Sequence, residues 1–349
     1  MVLITGATGL LGRVIALELL KKGEKVRACK RPGSDLSDVR ESFQFYTPDA
    51  DVYFDQIDWI DIDLNNHQSL CKVLKGVHEV YHCAAKVSLD PEDDDEILET
   101  GILGTRNLLN ACLKMPVQKF LFVSVAETIA VNKSDMELQI RQYNGKNRMY
   151  PPYIVSKYIA ERYVWDAYRK GLRTIIINPG MILGMGSRKK EHKDLLHLFF
   201  TSKFTFSGST PCVDVRDVAA IAVRLMEKNL FGERFCISSE NVSFKELSST
   251  IRHMMRLPRP VVLPRMMLKA MGYLRPVLKI MDKKACFLSD ENIEWVCKRH
   301  YYSGKKLKKV LSFSFYPVKV SLKFHCRNFS ACESAQKGKS LISSGTADL

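Results

Sequence analysis

Several features that mark other protein classes are missing from this 349-residue sequence. No uninterrupted apolar run approaches the roughly 18 residues that a membrane-spanning helix requires, so we expect no such helix. There is no internal repeat. The proportions of hydrophobic residues (46%) and charged residues (26%) exclude a disordered chain, a collagen-like chain and a disulfide-stapled miniprotein. These absences leave one large α/β unit, or two unequal lobes, with a buried core.

The ten cysteines follow neither of the patterns that give cysteine a chemical role. None forms a Cys-x-x-Cys pair and none stands with histidine at zinc-ligand spacing, so we predict no metal site. Cysteines scattered through apolar stretches are typical of small buried side chains in a reducing compartment. No signal peptide precedes the first predicted strand, which begins at Val2, and we therefore expect a cytoplasmic protein.

The formal net charge of +15 is concentrated in one part of the sequence. Residues 251–349 contain 20 Lys and Arg against 6 Asp and Glu, whereas the first 250 residues contain 33 and 32. A neutral N-terminal part argues against a nucleic-acid partner. Within the basic part, residues 265–284 place basic and apolar side chains in opposite sectors of a helical projection. This pattern indicates either substrate-lobe helices with a solvated basic face or a peripheral contact with an anionic membrane.

Short β-branched runs alternate with amphipathic stretches through the first half of the chain. This alternation predicts an α/β protein with a Rossmann-type doubly wound parallel sheet and a smaller C-terminal substrate lobe. We expect an NADP-binding domain at 1–184, completed by sheet strands from later segments. A mainly α-helical, basic lobe at 185–329 and a disordered tail at 330–349 follow. The predicted strands are 2–4, 25–29, 57–61, 79–82, 119–123 and 173–178, and the predicted helices are 10–22, 68–74, 96–113 and 153–170.

A glycine-rich segment, TGATGLLG at residues 5–12, directly follows the first predicted strand and opens the first helix. The first glycine permits a tight turn, the second lets the backbone approach a pyrophosphate, and the third lets the helix pack on the sheet. The helix N-terminus adds unpaired N–H groups and a dipole that favours negative charge. We therefore predict that a dinucleotide is bound by Gly6, Thr8, Gly9, Leu10, Leu11 and Gly12.

The choice between the two nicotinamide dinucleotides is predicted from the end of the second strand. An acidic residue there would bind a ribose hydroxyl, but the sequence continues Lys30-Arg31-Pro32-Gly33 without a carboxylate. Guanidinium groups suit phosphate recognition, so Arg31 is the leading candidate for binding a 2′-phosphate and Lys30 the second. We expect NADP(H) as the cofactor rather than NAD(H).

A tyrosine and a lysine four residues apart, Tyr153 and Lys157, lie at the start of a predicted helix. That spacing places both side chains on one helix face. A lysine ammonium next to a phenol favours phenolate, so we expect Lys157 to lower the pKa of Tyr153. The pair would provide a proton donor and acceptor for interconverting an alcohol and a carbonyl.

Further segments complete an ordered set of motifs: Asp63-Leu64, Tyr81-His82-Cys83-Ala84-Ala85, Asn178-Pro179-Gly180-Met181 and residues 213–219. With the glycine loop and the Tyr-x-x-x-Lys pair, they resemble the extended short-chain dehydrogenase/reductase family, also called NAD-dependent epimerases/dehydratases. The similarity spans roughly residues 1–325 and is greatest to the dihydroflavonol-reductase and 3β-hydroxysteroid-dehydrogenase branches.

The resemblance implies roles for individual residues. Lys157 would also hold the nicotinamide ribose, while Tyr153 exchanges a proton with the substrate. Helices 96–113 and 153–170 would form a homodimer contact. The resemblance further implies cofactor contacts from Asp63 and Leu64 at the adenine, Cys83 and Ala84 beneath the cofactor, and Pro179 and Met181 at the carboxamide.

Two positions depart from the family pattern. The serine or threonine that hydrogen-bonds the reacting oxygen is replaced by Val125, and the preceding Ser124 would point to the opposite face of an extended strand. Ser124 on a bulge, or Thr128, could supply the missing hydroxyl. The first asparagine of the family's Asn-Val-x-Gly-Thr-x-Asn helix is replaced by Gly101, which removes a side chain that could support the active site.

Three functional hypotheses follow. The first is an NADP(H)-dependent oxidoreductase that acts on a small, partly apolar substrate, with Tyr153 as general acid/base and with Ser124 as a third catalytic candidate. The second is a nucleotide-sugar epimerase or dehydratase that recycles its cofactor. The third, motivated by Val125 and Gly101, is a cofactor-binding sensor with little turnover.

Overall fold

The computed structural model of the protein describes residues 1–88, 90–141, 149–184, 199, 202–274 and 289–328. The segment 275–284 and the expected tail at 330–349 lie outside the described residues. The strands are, in chain order, β1 (Val2–Thr5), β2 (Val26–Lys30), β3 (Asp58–Asp61), β4 (Glu79–His82), β5 (Lys119–Val123), β6 (Arg173–Pro179), β7 (Met181–Leu183), β8 (Phe204–Thr205), β9 (Ser209–Asp214), β10 (Glu233–Ile237), β11 (Glu240–Ser243) and β12 (Val261–Val262).

Helices connect these strands, and a helical segment at 318–328 ends the described chain. The helices are α1 (Leu10–Lys21), α2 (Ser37–Phe43), α3 (Ala50–Asp55), α4 (His67–Leu74), α5 (Asp94–Leu98), α6 (Thr105–Cys112), α7 (Lys133–Arg141), α8 (Pro152–Arg169), α9 (Val215–Glu227), α10 (Phe244–Met254), α11 (Arg265–Tyr273), α12 (Asp290–Cys297) and α13 (Lys305–Leu311). A π-helical turn, Glu99–Gly104, joins α5 to α6. Across the described residues, no helix is both long and apolar enough to cross a bilayer.

The main sheet has seven parallel strands in the order β10-β6-β5-β4-β1-β2-β3. The prediction of a doubly wound parallel sheet is confirmed, and all six strands predicted from the first half are present. The central residues of the inner strands are largely buried because helices cover both faces, whereas Trp59 and Ile60 of the edge strand β3 are half-buried. The seventh strand, β10, comes from the later part of the chain and pairs with β6.

Two apolar cores lie on opposite faces of this sheet. One is formed with α1 and α9, and the other with α4, α6 and α8. Leu307 and Leu311 of α13 also belong to the first core, so the chain returns to the main sheet after residue 184. A third core lies in the C-terminal part, where α10, α11 and α12 pack around Phe244 and Ile293.

The strand order reverses at β1. The chain adds β2 and β3 on one side of β1 and then crosses over to add β4 on its other side. At such a point the connections leave β1 and β4 towards opposite faces of the sheet, and a crevice opens at the carboxyl ends of the strands. The loop after β1 and the Cys83-Ala84 segment after β4 therefore meet at this crevice, since both follow carboxyl ends of neighbouring parallel strands.

Candidate active site

The glycine loop after β1 is held tightly by its own backbone. Gly6 has φ +67°, and a Cβ there would lie 2.7 Å from the Ala84 nitrogen. A Cβ at Gly12 would lie 2.3 Å from the Gly6 carbonyl oxygen. Because neither backbone contact could give way cheaply, these two positions require glycine. The loop thus keeps β1, α1 and the end of β4 in close contact.

The N-terminus of α1 offers unpaired donors at the crevice. Its N-cap, Gly9, makes no side-chain cap hydrogen bond, so the first-turn N–H groups, including those of Leu10 and Leu11, have no side-chain acceptor. Buried Arg13 holds the loop from behind by donating to the carbonyl oxygens of Thr8 and Gly9 and to Asp38. A fixed row of backbone donors at a helix N-terminus fits a pyrophosphate.

The two cations after β2 differ in how they are held. The Lys30 ammonium is hydrogen-bonded to Asp61, at the end of the neighbouring β3. Arg31 is 81% exposed, and its guanidinium lies 3.7 Å from the Glu96 carboxylate. Arg31 is therefore available to a 2′-phosphate, whereas Lys30 is largely neutralised by Asp61.

The loop after β3 is connected to the helix after β4. The Asp63 carboxylate accepts a hydrogen bond from the backbone N–H of Asn65. The Leu64 carbonyl accepts one from the Asn107 side chain at 3.2 Å. A Cβ at Gly104 would lie 3.0 Å from Leu64 Cδ1. The glycine and asparagine of the motif at 101–107 therefore support the loop that contains Asp63 and Leu64.

A buried hydrogen-bonded chain runs through His82 at the end of β4. The Thr105 hydroxyl donates to the Gly101 carbonyl at 2.7 Å, so it accepts from His82 Nε2 at 2.9 Å. His82 Nδ1 then accepts from the Thr5 hydroxyl at 2.6 Å, and that hydroxyl accepts from the Ala84 N–H at 3.3 Å. Burial lowers the pKa of His82 to about 3, which keeps the imidazole neutral. The chain positions the loops beside Gly6 and Ala84.

Tyr153 and Lys157 lie on the first turns of α8, and Lys157 is fully buried. The Lys157 ammonium donates to the Val123 carbonyl at 2.8 Å and lies 5.8 Å from the centroid of the Tyr153 ring. Burial lowers the pKa of Lys157 to about 8, and the Glu161 carboxylate opposes that change. Lys157 is therefore mainly charged at neutral pH.

The expectation that Lys157 lowers the pKa of Tyr153 is wrong for this structure. Burial and the charge of Glu127 both raise the pKa of Tyr153, because each disfavours the phenolate. Glu127 lies in the short turn after β5, and burial raises the pKa of its carboxyl to about 7. The arrangement favours a protonated phenol, which is a proton donor.

A buried polar cluster, here called the Glu161 cluster, lies behind the Tyr-Lys pair. Glu161 is four residues after Lys157 on α8. Its Oε1 accepts from the Ser124 hydroxyl at 2.5 Å, the Thr128 hydroxyl at 2.6 Å and the Asn178 amide at 2.7 Å. Its Oε2 accepts from Arg234 at 3.2 Å. The cluster joins α8 to the ends of β5, β6 and β10.

Ser124 is therefore not presented to the crevice in this structure. Its hydroxyl is buried and used by Glu161, as is that of Thr128. The extended backbone at Val125 (φ −140°, ψ 153°) directs neighbouring side chains to opposite faces. Val125, half-buried, thus occupies the position where the resemblance places a catalytic hydroxyl, and neither proposed substitute replaces it. The structure gives no support to Ser124 as a catalytic residue.

Close packing against α8 explains the glycine at position 101, which the family resemblance alone did not indicate. A Cβ at this position would lie 2.8 Å from the Ser156 hydroxyl and 2.9 Å from its Cβ. Gly101 lies within the π-helical turn, where the chain approaches α8 between Tyr153 and Lys157. A larger residue would push α8 away. Glycine at position 101 therefore allows the close approach of the π-helical turn to the part of α8 that contains Tyr153 and Lys157.

Pro179 and Met181 follow β6 at the same edge of the sheet. Pro179 pairs with Ile237, and Met181 starts β7 and is half-buried against the C-terminal core. Gly180 is needed between them, because a Cβ there would lie 2.4 Å from the Pro211 carbonyl oxygen. The segment therefore forms a rigid backbone wall between the main sheet and the C-terminal part.

Sequence reasoning missed four supporting residues: Arg13, His82 as a buried hydrogen-bonding centre, Ser156 and Glu161. A signal existed for Glu161, because its i+4 spacing from Lys157 puts a negative charge on the same helix face. The other three depend on contacts across 23 or more residues, such as His82 with Thr105 and Thr5. Their roles required the tertiary structure. Among the described residues, no group of three or more His, Cys, Asp or Glu could hold a metal ion.

Comparisons with known proteins agree with this geometry. The profile of the NAD dependent epimerase/dehydratase family matches residues 2–237. A sterol demethylase protein B of Methylococcus capsulatus is 26% identical over 278 residues, 76% of this chain and 78% of that protein. Cinnamoyl-CoA reductase 1 of Petunia hybrida is 27% identical over 241 residues, 65% of this chain and 68% of that protein.

Solved structures share the fold. A UDP-glucose 4-epimerase of Thermotoga maritima, solved with UDP-glucose, superimposes with a TM-score of 0.70 at 17% identity. The superposition covers 95% of this chain and 99% of that one. At this identity the similarity concerns the fold alone.

Proposed function

Since the chain belongs to the NAD-dependent epimerase/dehydratase family, we propose that it is an NADP(H)-dependent oxidoreductase. It interconverts a secondary alcohol and a carbonyl on a small, partly apolar substrate. Relatives named as reductases support this class of reaction.

The observation that carries the proposal is that Tyr153 and Lys157 lie on the first turns of α8, with the Lys157 ammonium 5.8 Å from the centroid of the Tyr153 ring. When bound, the cofactor supplies the hydride. Tyr153 donates a proton to the carbonyl oxygen as negative charge develops there, and its raised pKa favours that donor state. Lys157, held by the Val123 carbonyl, provides a positive charge nearby. A protonated phenol and a charged ammonium are the states from which reduction of a carbonyl would start.

The preference for NADP(H) rests on Arg31. Its exposed guanidinium follows β2, where the 2′ position of a bound dinucleotide lies in doubly wound folds. Lys30 contributes less because its charge is compensated by Asp61. The basic side chain at the strand end, without an acidic neighbour in sequence, favours a phosphate over a free ribose hydroxyl.

One observation favours a second candidate, a cofactor-binding sensor with little turnover. Val125 removes the hydroxyl that would hydrogen-bond the reacting oxygen. Loss of one such donor slows chemistry by about 10²-fold in comparable sites. The intact Tyr-Lys pair and its buried support argue for the oxidoreductase.

The test incubates the purified full-length chain with NADPH or NADH and a panel of aromatic and alicyclic aldehydes and ketones. Both cofactor absorbance and product are followed. Oxidation of NADPH matched one-to-one by alcohol, and lost in Tyr153→Phe, is expected. Isomerised product without net cofactor change would support an epimerase. Tight NADPH binding without turnover, unaltered by Tyr153→Phe, would support the sensor.

A further inference from the structure

The helix α11 turns its apolar side to solvent. Met266 and Tyr273 are 85% and 87% exposed, and Met267, Ala270 and Leu274 are exposed as well. At 100° per residue these five positions fall within one sector of about 120°. Only Leu268 of this helix is fully buried. An exposed, continuous apolar stripe of this kind marks an interaction surface.

The orientation differs from that expected for a helix covering a core. Arg265 and Lys269 are ion-paired with Glu294 of α12, and their side chains stay 55% and 41% exposed. An ordinary amphipathic helix would bury the methionines and expose the cations. Here both cations pair with the neighbouring helix, Met266 and Met267 face solvent, and Met271 is half-buried against the C-terminal core. The described part of 265–284 thus presents both its cations and part of its apolar side to solvent, and the hypothesis of a solvated basic face stays a prediction.

The apolar surface continues onto the short sheet that precedes the helix. Phe204 of β8 and Val261 of β12 are cross-strand partners, and both side chains are exposed. The preceding loop adds exposed Leu257. Pro264, the N-cap of α11, stands two residues after β12, so the strand pair and the helix are adjacent along the chain and we treat their exposed apolar side chains as one surface. We call it the α11 surface, defined by residues 203–204, 256–261 and 265–274.

Positive charge surrounds the α11 surface. Lys203, Arg256 and Arg259 are exposed. The sequence contains no Asp or Glu from residue 251 to 274. Among the described residues, the Glu294 carboxylate alone pairs with Arg265 and Lys269 there, which leaves one of those two charges uncompensated. Electrostatics therefore favour an anionic occupant, and protruding methionine, tyrosine and phenylalanine side chains favour one with an apolar interior.

We propose that the α11 surface docks on an anionic lipid bilayer, with Met266 and Tyr273 among the side chains that enter the interface and Arg256, Arg259 and Lys203 at the headgroups. Weak apolar insertion combined with several basic side chains is sufficient for reversible peripheral binding. The neighbouring α12 contains Trp295, which packs against the small core cluster that includes Ile154 and Val155 of α8. The bilayer would thus lie one helix away from the helix of Tyr153 and Lys157.

The experiment measures co-flotation of the full-length chain with vesicles of phosphatidylcholine, with and without phosphatidylserine. Binding to the phosphatidylserine vesicles that weakens in high salt is expected. The variant M266S/M267S/Y273S should reduce the bound fraction by roughly tenfold or more. The variant R256Q/R259Q should reduce binding to anionic vesicles several-fold and make the remaining binding less sensitive to salt.

Matched controls keep the result specific. V52S/V320S removes exposed apolar side chains elsewhere, and K25Q/K75Q removes two exposed charges elsewhere; both should bind like the unaltered chain. Cofactor binding by every variant tests that the fold is retained.

Several outcomes would overturn the proposal. One is an absence of vesicle binding, and another is an equal loss of vesicle binding in the control variants. A third is a solution dimer that becomes monomeric only in M266S/M267S/Y273S, which would show that a second copy covers the surface. Selective capture of an acidic polypeptide without lipid binding would overturn it as well. None of these results depends on whether the chain turns over a carbonyl substrate.

Discussion

The two ends of the candidate site are built differently. At the Tyr153–Lys157 end, Lys157 is fully buried and donates to a backbone carbonyl, and four hydrogen bonds from three elements converge on Glu161 behind it. At the end proposed to bind the adenosine part of the cofactor, Arg31 is exposed and its guanidinium lies 3.7 Å from the Glu96 carboxylate. The first end is preorganised by the fold, whereas the second can adjust to the ligand.

This difference predicts which substitutions should change the stability of the fold as well as the properties of the site. A buried, hydrogen-bonded charge affects both the chemistry and the stability of the fold, because its partners cannot turn to water. An exposed cation affects ligand affinity alone, since solvent replaces its contacts. The predictions below test this contrast, beginning with the largest expected effect.

Tyr153→Phe should lower turnover by roughly 10²–10⁴-fold, because it removes the proton donor and leaves the ring packing intact. Single-turnover and steady-state rates with the best carbonyl substrate provide the measurement. Tyr158→Phe, on the same helix, is the matched control and should retain activity. Equal turnover by Tyr153→Phe and the unaltered chain would remove Tyr153 from the mechanism.

Glu161→Gln should destabilise the fold by roughly 2–4 kcal/mol, because it disrupts a buried network and leaves Arg234 facing an amide. It should also shift the pH profile. Activity of the unaltered chain should fall as pH rises through about 8, when Lys157 loses its proton. Without the Glu161 charge that loss should occur at lower pH.

Denaturant unfolding and pH–rate profiles measure both effects. The exposed partner of Arg162 provides the control: Glu137→Gln should cost under about 1 kcal/mol and leave the profile unchanged. An unshifted profile in Glu161→Gln would show that the cluster is structural only.

Val125→Ser should increase kcat by about tenfold or more, with little effect on NADPH affinity, because it restores a hydroxyl opposite Ser124. Val125→Thr, which keeps the β-branched shape, should act similarly, and Val125→Ala serves as the control without a hydroxyl. If all three variants match the unaltered chain, the reacting oxygen finds its second hydrogen bond elsewhere.

Arg31→Ala should weaken NADPH binding by roughly tenfold while leaving NADH affinity within about twofold, since one exposed guanidinium–phosphate contact is lost. Lys30→Ala should have a smaller effect because its ammonium is paired with Asp61. Calorimetric titration measures both, with Arg169→Ala as a distant charge control. A larger loss in Lys30→Ala would reverse the assignment.

Glu127→Gln should change how stability depends on pH. The pKa of Glu127 is raised to about 7 from 4.5 in the folded chain. The contribution of Glu127 to the stability of the fold is therefore fully present below about pH 4.5 and is lost as the pH rises through about 7. The unaltered chain should lose of order 1 kcal/mol more than the variant across that range. Thermal melting between these pH values measures the difference, and parallel curves would contradict it.

Much of the fold was accessible from the sequence because it depends on short-range patterns. The glycine spacing at 6, 9 and 12, the β-branched strands and the Tyr153–Lys157 interval each predict local geometry, and the parallel sheet follows from their alternation. The orientation of Ser124 away from the crevice was also expected from strand periodicity. The raised pKa of Tyr153 was not expected, because the burial of its side chain and the charge of Glu127 depend on the tertiary structure.

The C-terminal part illustrates the limit of pattern reasoning. A helical projection of 265–274 separates basic from apolar residues correctly, yet it does not say which side faces the protein. In the structure, Leu268 and Met271 pack on the C-terminal core, and Glu294, in another helix, pairs with Arg265 and Lys269.

The sequence alone predicted the class of fold, the glycine loop and the Tyr153–Lys157 pair, because each depends on residue types at short, regular spacing. The tertiary structure decided that Ser124 faces Glu161, that Gly101 makes room for Ser156, and that α11 exposes Met266 and Met267. Those outcomes depend on long-range contacts, where burial and charge compensation act between residues that are distant in the chain.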